Sequence, residues 1–285
     1  MNTIEELIES YNPKNLDETK MILRELLQQI VLIGLSKANF FKYASFYGGT
    51  ALRIFYSLNR YSEDLDFTLN KKDDKFSLEP FIGKIKEVAS SYGLQLEIET
   101  KNKIIKTPIE SAFAKLNTYQ TFIGLKLDDN LTRLLHKDEI IKVKFEIDCN
   151  PALGFTCDSK YLDVPEFANV KVLDMESLFA GKIHAILCRN YKNSVKGRDY
   201  YDFLFYIKKH AKPNLVYLRN KLIESNKIKE NDLFNMDVLK SMLKVRFESV
   251  DFNQVKLDAE RFVFNSEDLS YFSKDLFIDL LDRLN

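Results

Sequence analysis

The stretch FYGGTALRIFYSLNRYSEDLDFTLN, from Phe46 to Asn70, decides the fold. Its two glycines, Gly48 and Gly49, can adopt backbone angles closed to other residues and so predict a tight turn. Thr50 follows where a helix would begin, and apolar residues at helical spacing predict that the helix runs to about Asn59. Free backbone N–H groups at a helix start attract phosphate. Gly48, Gly49 and Thr50 are therefore candidate nucleotide-binding residues.

A strand carrying two carboxylates follows the helix. The residues from Asp64 to Leu69 alternate between polar and apolar side chains, which is the two-residue period of a half-buried strand. That period places Asp64 and Asp66 on the same face, where they repel each other unless a cation lies between them. Mg²⁺ prefers oxygen ligands, often one or two carboxylates together with substrate phosphates. Asp64 and Asp66 are therefore candidate metal ligands.

The spacing of these motifs carries a family resemblance. Gly-Gly-Thr, thirteen intervening residues and Asp-x-Asp resemble the signature of the nucleotidyltransferase superfamily that includes DNA polymerase β. The fuller string, with the Arg-x-Ser-Glu lead-in of Arg60 to Glu63, is more similar to the AbiEii/AbiGii toxin family, to which the MenT toxins belong. The resemblance implies an NTP substrate and Mg²⁺, with Mn²⁺ as the alternative ion. Arg53 and Ser62 belong to the site by this resemblance only, and Arg53 has a structural role as its alternative.

The composition limits the classes of protein to which this chain can belong. The chain has 285 residues, is 45% hydrophobic and 29% charged, and contains 42 basic and 42 acidic residues. Its three cysteines form no CxxC pair, the start is acidic, and no apolar run is long enough to span a membrane. A soluble, cytoplasmic protein without a disulfide framework is expected.

The charge distribution is uneven although the totals balance. Between Lys182 and Lys221 ten Lys/Arg residues stand against two acidic ones, whereas residues 222–285 hold nine basic and thirteen acidic residues. Clustered cations neutralise phosphates, so the basic block predicts a polyanionic partner such as RNA.

The pattern of elements predicts an α+β protein: a minimal nucleotidyltransferase domain with a mixed β-sheet flanked by helices, followed by a helical C-terminal domain. The boundary is expected between Pro151 and Val172, giving domains of residues 1–165 and 166–285. Strands are predicted at 64–69, 94–99, 119–127, 140–148 and 170–173. Helices are predicted at 4–11, 17–37, 50–59, 77–92, 176–189, 198–210, 214–225, 236–250, 252–263 and 269–284.

A third carboxylate is expected beside the Asp-x-Asp pair. Two metal ions can clamp the attacking and leaving oxygens of an in-line displacement, and an added carboxylate from a neighbouring strand completes such a site. The strand from Ile140 to Asp148 offers Glu146 and Asp148. The family resemblance implies Lys-x-Asp/Glu here, which favours Glu146 within Lys144-Phe145-Glu146 and leaves Asp148 in reserve. A strand face that is simply solvated is the alternative.

A second cluster comprises Gly181-Lys182-Ile183-His184-Ala185 and Gly197-Arg198-Asp199-Tyr200-Tyr201-Asp202. The resemblance implies that Lys182 meets the triphosphate charge and that Asp202 orients Lys182 or the nucleoside. Arg198 is expected to contact phosphate or a helix carboxylate, and Asp199 lies on the same helix face as Asp202. An ordinary salt-bridge network between helices is the alternative.

Tyrosines interrupt the basic block at positions 191, 200, 201 and 206. Aromatic rings among cations suit stacked bases of single-stranded nucleic acid. Helical spacing with Phe203 and Phe205 favours packing in the core instead.

The leading functional hypothesis is a Mg²⁺-dependent nucleotidyltransferase that resembles the toxin of an AbiE-type toxin–antitoxin pair acting in phage defence. The resemblance implies transfer of NMP from NTP to an acceptor hydroxyl, with the tRNA 3′ end as the expected acceptor, and a separately encoded antitoxin. A nucleotidyltransferase that modifies a protein hydroxyl or a small molecule is one alternative. A nucleotide-binding regulator without turnover is the other.

Overall fold

A computed structural model describes residues 3–100, 109–189 and 195–284. These residues contain seven strands and twelve α-helices, with three short 3-10 helices. The strands are β1 (Ala44–Tyr47), β2 (Asp64–Leu69), β3 (Glu97–Thr100), β4 (Ile109–Asn117), β5 (Ile140–Asp148), β6 (Cys157–Leu162) and β7 (Ala168–Leu173). The helices are α1 (Ile4–Ser10), α2 (Leu16–Lys37), α3 (Gly48–Tyr56), α4 (Glu79–Ser91), α5 (Thr118–Gly124), α6 (Asp129–Arg133), α7 (Met175–Cys188), α8 (Gly197–Lys208), α9 (Leu215–Glu224), α10 (Met236–Ser249), α11 (Phe252–Glu260) and α12 (Lys274–Asp279).

The strands form one mixed sheet in the order β3-β4-β5-β2-β1-β7-β6. β2 pairs with β5 in parallel and with β1 antiparallel, so the strand that carries Asp64 and Asp66 is central. β1 in turn pairs in parallel with β7. Because β2 has a partner on each side, its position and side-chain directions are fixed by two ladders of backbone hydrogen bonds.

The chain divides by contacts into two compact units. The first comprises Met1–Phe55, Ser62–Pro151 and Ser159–Val172, and the second comprises Tyr56–Tyr61, Ala152–Asp158 and Leu173–Asn285. The short segment Tyr56–Tyr61 therefore belongs to the second unit, although α3 up to Phe55 and the chain from Ser62 into β2 belong to the first. The division into domains at residue 165 stays a prediction.

The core of the first unit lies between the sheet and its helices. In β5 the residues Ile141, Val143, Phe145 and Ile147 are buried and alternate with more exposed polar ones, as a half-buried strand requires. Helix α2 is buried on a wide apolar face and packs against α4. A Cβ added at Gly34 would lie 2.7 Å from the Cα of Ile85, so only glycine allows this close approach of the two helices.

The core of the second unit is rich in aromatic rings. Tyr200 and Phe203 of α8 are fully buried, and the Tyr200 ring packs edge-on against Phe252 and Phe277. Side-chain oxygens cap the N-termini of most of its helices; Asp174, for example, accepts from the N–H of Ser177 at the start of α7. Such caps satisfy backbone donors that a helix start leaves unpaired.

The predicted α+β class and the mixed sheet are confirmed. The strand predicted at 119–127 is wrong, because Thr118–Gly124 forms α5 with Asn117 as its cap, and Thr118, Thr121 and Phe122 are buried at helical spacing. Three strands were not predicted: β1, which at four residues shows little alternation, β4 and β6.

None of the helices in the described parts of the chain is both long and apolar enough to cross a membrane.

Candidate active site

The predicted carboxylates meet on one face of the sheet. Asp66 is the Cα partner of Glu146 in the parallel ladder between β2 and β5, and Thr68 is the partner of Asp148. Neighbouring strands lie about 4.8 Å apart and partnered side chains point to the same side. Asp64, Asp66, Glu146 and Asp148 therefore form one acidic surface, here called the carboxylate face, and each of them is partly exposed.

The two glycines, for which the sequence predicted a tight turn, are instead the first residues of α3, and Gly48 lies directly against this face. Gly48 has φ +85°, and a Cβ built on it would lie 2.5 Å from the Oδ2 atom of Asp66. Thr50 is buried and its hydroxyl donates to the main-chain oxygen of Asp64 at 2.5 Å. The start of α3 is thus tied to the start of β2, and the missing side chain at Gly48 brings the main chain close to the Asp66 carboxylate. Gly49 is the second residue of α3, at the helix start, where free backbone N–H groups attract phosphate.

Glu146 is held by a lysine on its own strand. Lys144 Nζ lies 2.6 Å from Glu146 Oε1, and about a third of each side chain is exposed. Asp148 accepts a hydrogen bond from the N–H of Asn150 at 3.0 Å and lies one pleat beyond the Asp66–Glu146 pair. The position opposite Asp66 is occupied by Glu146, which agrees with the order of preference from sequence.

The donor set of the carboxylate face fits a divalent ion. In the part of the chain that the structure describes, no group of three or more His, Cys, Asp or Glu side chains is already arranged around a metal position. The Lys144–Glu146 ion pair explains why Glu146 does not form such a group with Asp64 and Asp66, because it directs this third carboxylate to an ammonium group. Two aspartates on one strand face supply the one or two carboxylates that Mg²⁺ commonly takes alongside substrate phosphates.

Arg53 and Ser62 make contacts within the scaffold. Arg53 Nε lies 3.0 Å from Glu25 Oε2, and both side chains are largely buried. The main-chain oxygen of Ser62 accepts from Gln28 Nε2 at 3.0 Å. Both contacts join the motif to α2: the Arg53 contact from α3 and the Ser62 contact from the segment that leads into β2. Their role in nucleotide binding stays a prediction.

In the second unit, Lys182 lies in a buried cluster of charges. Its Nζ atom is 2.8 Å from Asp199 Oδ1 and 2.8 Å from Asp202 Oδ2. Arg60 donates two hydrogen bonds to Asp202, from Nε to Oδ1 at 2.6 Å and from Nη2 to Oδ2 at 2.7 Å. Arg189 bonds the second oxygen of Asp199 at 2.6 Å. These five residues, here called the ion-pair network, bring Lys182, Asp199 and Asp202 together.

The network keeps its charges in spite of burial. Burial alone would raise the pKa of Asp202, but the charges and hydrogen bonds of Arg60 and Lys182 outweigh it and lower that pKa. Burial alone would lower the pKa of Arg60. The charge and hydrogen bonds of Asp202 outweigh burial, so the pKa of Arg60 is raised. Three cations share two carboxylates, so the network carries an excess of positive charge.

Arg60 and Arg189 are the two residues of this cluster to which the sequence assigned no role. Arg60 is 2% exposed and is the only charged residue of the Arg-x-Ser-Glu lead-in that lies in the second unit. The signal for it was its place in the Arg-x-Ser-Glu lead-in, four residues before Asp64. Arg198, which was predicted to be a phosphate or carboxylate ligand, lays its guanidinium 3.9 Å from the centre of the Phe262 ring.

A glycine tight against a pair of strand carboxylates, on a mixed sheet with a third carboxylate in register, is the arrangement that the sequence predicted for a nucleotidyltransferase. The sequence profile described as nucleotidyl transferase AbiEii toxin, type IV toxin–antitoxin system, matches residues 30–282. The chain therefore belongs to the AbiEii nucleotidyltransferase toxin family. No curated protein matches the sequence.

Solved structures agree on the fold. A candidate nucleotidyltransferase from H. pylori is 19% identical, with a TM-score of 0.52, over 93% of this chain and 97% of that one. JHP933 from Helicobacter pylori is 18% identical, with a TM-score of 0.50, over 92% and 94% of the two chains. The nucleotidyltransferase toxin MenT4 from Mycobacterium tuberculosis is 14% identical, with a TM-score of 0.49, over 94% and 85%. The first two structures share the fold of this chain.

Proposed function

We propose that this nucleotidyltransferase is a Mg²⁺-dependent cytoplasmic toxin that transfers NMP from NTP to the 3′-terminal hydroxyl of tRNA. The observation that carries the proposal is the register of the sheet, which sets Asp66 beside Glu146 and against Gly48. Family membership supports the transfer chemistry.

In the proposed site, Asp64 and Asp66 hold the divalent ion, and Glu146, with Asp148 in reserve, completes the acidic face. When bound, Mg²⁺ neutralises phosphate charge and stabilises the oxygens of the in-line displacement. The N–H groups at the start of α3, at Gly48, Gly49 and Thr50, would bind triphosphate oxygens. Glu146 accepts the proton of the attacking hydroxyl, and its ion pair with Lys144 holds the carboxylate in place.

The second set of roles belongs to the ion-pair network. Lys182 meets the negative charge of the triphosphate and of the leaving pyrophosphate. Asp202 orients Lys182, which the 2.8 Å contact between them supports, and Asp199 shares that task. Arg60 acts as a positioning residue, because its two bonds fix the Asp202 carboxylate in one orientation. Arg198 remains a candidate phosphate ligand.

RNA is the proposed acceptor because part of the basic block is exposed. Lys208, Lys209 and Lys212 are exposed at and after the end of α8. Lys192 and Tyr191 lie outside the described residues. Exposed cations supply the salt-dependent affinity that nucleic-acid binding needs.

Family membership suggests an antitoxin partner and a biological role. The matching family is that of a type IV toxin–antitoxin system, and we propose that this chain is paired with a separately encoded antitoxin and that the pair serves in phage defence. Growth stops when the extended tRNA 3′ end can no longer be aminoacylated.

The test is a transfer assay with the full chain. The protein is incubated with Mg²⁺, total cellular RNA and protein, and each α-labelled NTP in turn, beside the Asp66→Ala variant. Label in a band of tRNA size with the unmodified protein, absent with Asp66→Ala and with EDTA, is the expected result.

Three other outcomes are decisive. Label in protein bands or in a small molecule would identify another acceptor and overturn the RNA assignment. Activity with Mn²⁺ but none with Mg²⁺ would change the metal. Absence of label under every condition would favour a regulator without turnover. Tyr161→Ala, an exposed tyrosine of β6, serves as the matched control and is expected to behave as the unmodified protein.

A further inference from the structure

The second unit contains a cavity of about 190 Å³ whose walls are partly aromatic. Tyr201 and Phe205 of α8 form one side, and Tyr271, which follows the 3-10 helix Ser266–Leu269, forms another. Lys208, Asp268 and Asn59 supply polar groups. Every residue that lines this cavity belongs to the second unit.

The aromatic residues of α8 divide between two environments. Tyr200, Phe203 and Tyr206 are at most 1% exposed and belong to the core, which helical spacing favoured for Phe203 and Tyr206. Phe205, which the same spacing favoured for the core, is instead partly exposed. Tyr201 and Phe205, four residues apart, lie on the cavity side, and Tyr271 is 45% exposed. These rings therefore offer apolar faces at a solvent-accessible surface.

Cations lie beside the rings. Lys208 Nζ is 5.9 Å from the centre of the Tyr271 ring, and Lys209 Nζ is 5.6 Å from the centre of the Phe205 ring. Both lysines are exposed. Aromatic faces beside cations are the combination that binds single-stranded nucleic acid, because bases stack on the rings while phosphates meet the charges.

Hydrogen-bonding groups complete the cavity. The Tyr201 hydroxyl donates to the main-chain oxygen of Asn59 at 3.0 Å, which fixes the ring. Burial, and then the charge of Asp268, raise the pKa of Tyr201 to about 12, so the phenol stays neutral. Asp268 is an acceptor-only group when ionised and suits a ligand with N–H donors. Among nucleobases, this chemistry favours those with an exocyclic amino group.

We propose that this cavity binds one unpaired nucleobase with an exocyclic amino group, stacked on Tyr271 and with a flanking phosphate at Lys208. The volume is below the roughly 300 Å³ at which drug-sized ligand sites begin, so it suits a single heterocycle. The inference rests on the proposed function in taking RNA as the source of the base. A free nucleotide has the same chemistry and is the competing source.

The experiment measures binding without transfer. The full-length Asp66→Ala protein is titrated in EDTA with a short single-stranded RNA that carries 2-aminopurine, whose fluorescence is quenched by stacking. A parallel titration uses 2-aminopurine ribonucleoside monophosphate. We expect quenching with the RNA and about tenfold weaker binding when Tyr271→Ala is added, the lower part of the range for loss of one base–aromatic stack.

Matched variants separate stacking from charge. Tyr271→Phe keeps the ring and should retain the affinity, whereas Lys208→Ala should lower the slope of log K against log salt by about one phosphate contact. Tyr161→Ala and Lys244→Ala, exposed residues elsewhere, should change neither quantity. Circular dichroism of each variant confirms that it is folded.

Several outcomes would overturn the inference. Unchanged RNA affinity and quenching in both Tyr271→Ala and Lys208→Ala would show that the cavity holds no base, as would an absence of quenching by either ligand. Equal quenching by the monophosphate, abolished by Tyr271→Ala, would overturn RNA as the source and leave the base site in place. Normal RNA binding together with no label transfer by the unmodified protein would overturn the proposed activity alone.

Discussion

The carboxylate face and the ion-pair network use similar side chains in opposite ways. On the face, four carboxylates are partly exposed on neighbouring strands, and Lys144 holds one of them. In the network, each of two buried aspartates contacts two cations. Acidic groups gathered beside solvent are suited to a cation from outside, whereas buried charges depend on one another. Residues of the carboxylate face are therefore expected to act on a ligand. Residues of the ion-pair network are expected to stabilise the fold in addition to any role in catalysis.

The largest expected effect is loss of transfer in Asp66→Asn. The amide keeps the size of the side chain but removes a charge that the divalent ion requires, so the rate should fall about 10⁴-fold, equivalent to about 5.5 kcal/mol. The free energy of unfolding in urea should change by less than about 1 kcal/mol, because a repulsion between carboxylates is also removed.

Glu146→Gln and Asp148→Asn sharpen this test. The loss of rate should be larger for Glu146→Gln, because Glu146 is the residue partnered with Asp66. A larger loss for Asp148→Asn would reverse the assignment of the third carboxylate. Substantial activity in Asp66→Asn would contradict the role of the whole face.

The second effect is loss of stability in Asp202→Ala. This change leaves Arg60 buried without the carboxylate that it grips and deprives Lys182 of one of its two partners. Breaking a buried ion pair in this way destabilises by about 3–5 kcal/mol. Urea unfolding measures the change. Glu260→Ala, an exposed acid in the same unit, should stay within about 0.5 kcal/mol, and an equally small change in Asp202→Ala would refute the structural part of the network.

Gly48→Ala is expected to have a smaller effect on stability. The new Cβ would meet Asp66 Oδ2 at 2.5 Å in a backbone conformation that side chains rarely adopt. A left-handed conformation costs about 1–2 kcal/mol for a residue other than glycine. Transfer should fall by at least about tenfold because the carboxylate is displaced, which corresponds to about 1.4 kcal/mol in the barrier.

The matched control is Gly83→Ala. No heavy atom lies within 4 Å of the Cβ position at Gly83 in α4, so alanine should raise stability by up to about 1 kcal/mol through helix propensity. Equal behaviour of the two variants would show that the contact between Gly48 and Asp66 has no consequence for the site.

The smallest expected effect is a pH dependence from His184. Burial, followed by the cations Lys221 and Arg189, lowers the pKa of His184 to about 4. As pH falls below about 6.5 the unfolded chain takes up a proton that the folded chain refuses, so stability is complete above that pH and is lost as pH falls to about 4.

The magnitude is about 1–2 kcal/mol after allowance for partial exposure. Urea unfolding at pH 7 and pH 4, compared with His184→Gln, isolates this contribution from that of the carboxylates. An NMR titration that placed the His184 pKa near 6.5 would contradict the cationic surroundings inferred for this part of the second unit.

Much of the site could be predicted from sequence because its residues are close along the chain. The glycines, the helix and the Asp-x-Asp strand lie within Phe46–Asn70, and period-two alternation was sufficient to place Asp64 and Asp66 on one face. The second partner of Asp202 was harder to predict, since Arg60 and Asp202 are separated by 142 positions and no local pattern connects them. The strand predicted at 119–127 failed because buried Thr118, Thr121 and Phe122 follow a helical period in a segment rich in β-forming residues.

The sequence by itself determined the family, the α+β class and the acidic strand, because side-chain period and motif spacing are local properties. Tertiary structure alone decided which carboxylate stands beside Asp66, which charges are buried together, and which rings of α8 line a cavity. Those outcomes depend on strand register and helix packing, and both are set by contacts between residues far apart in the chain.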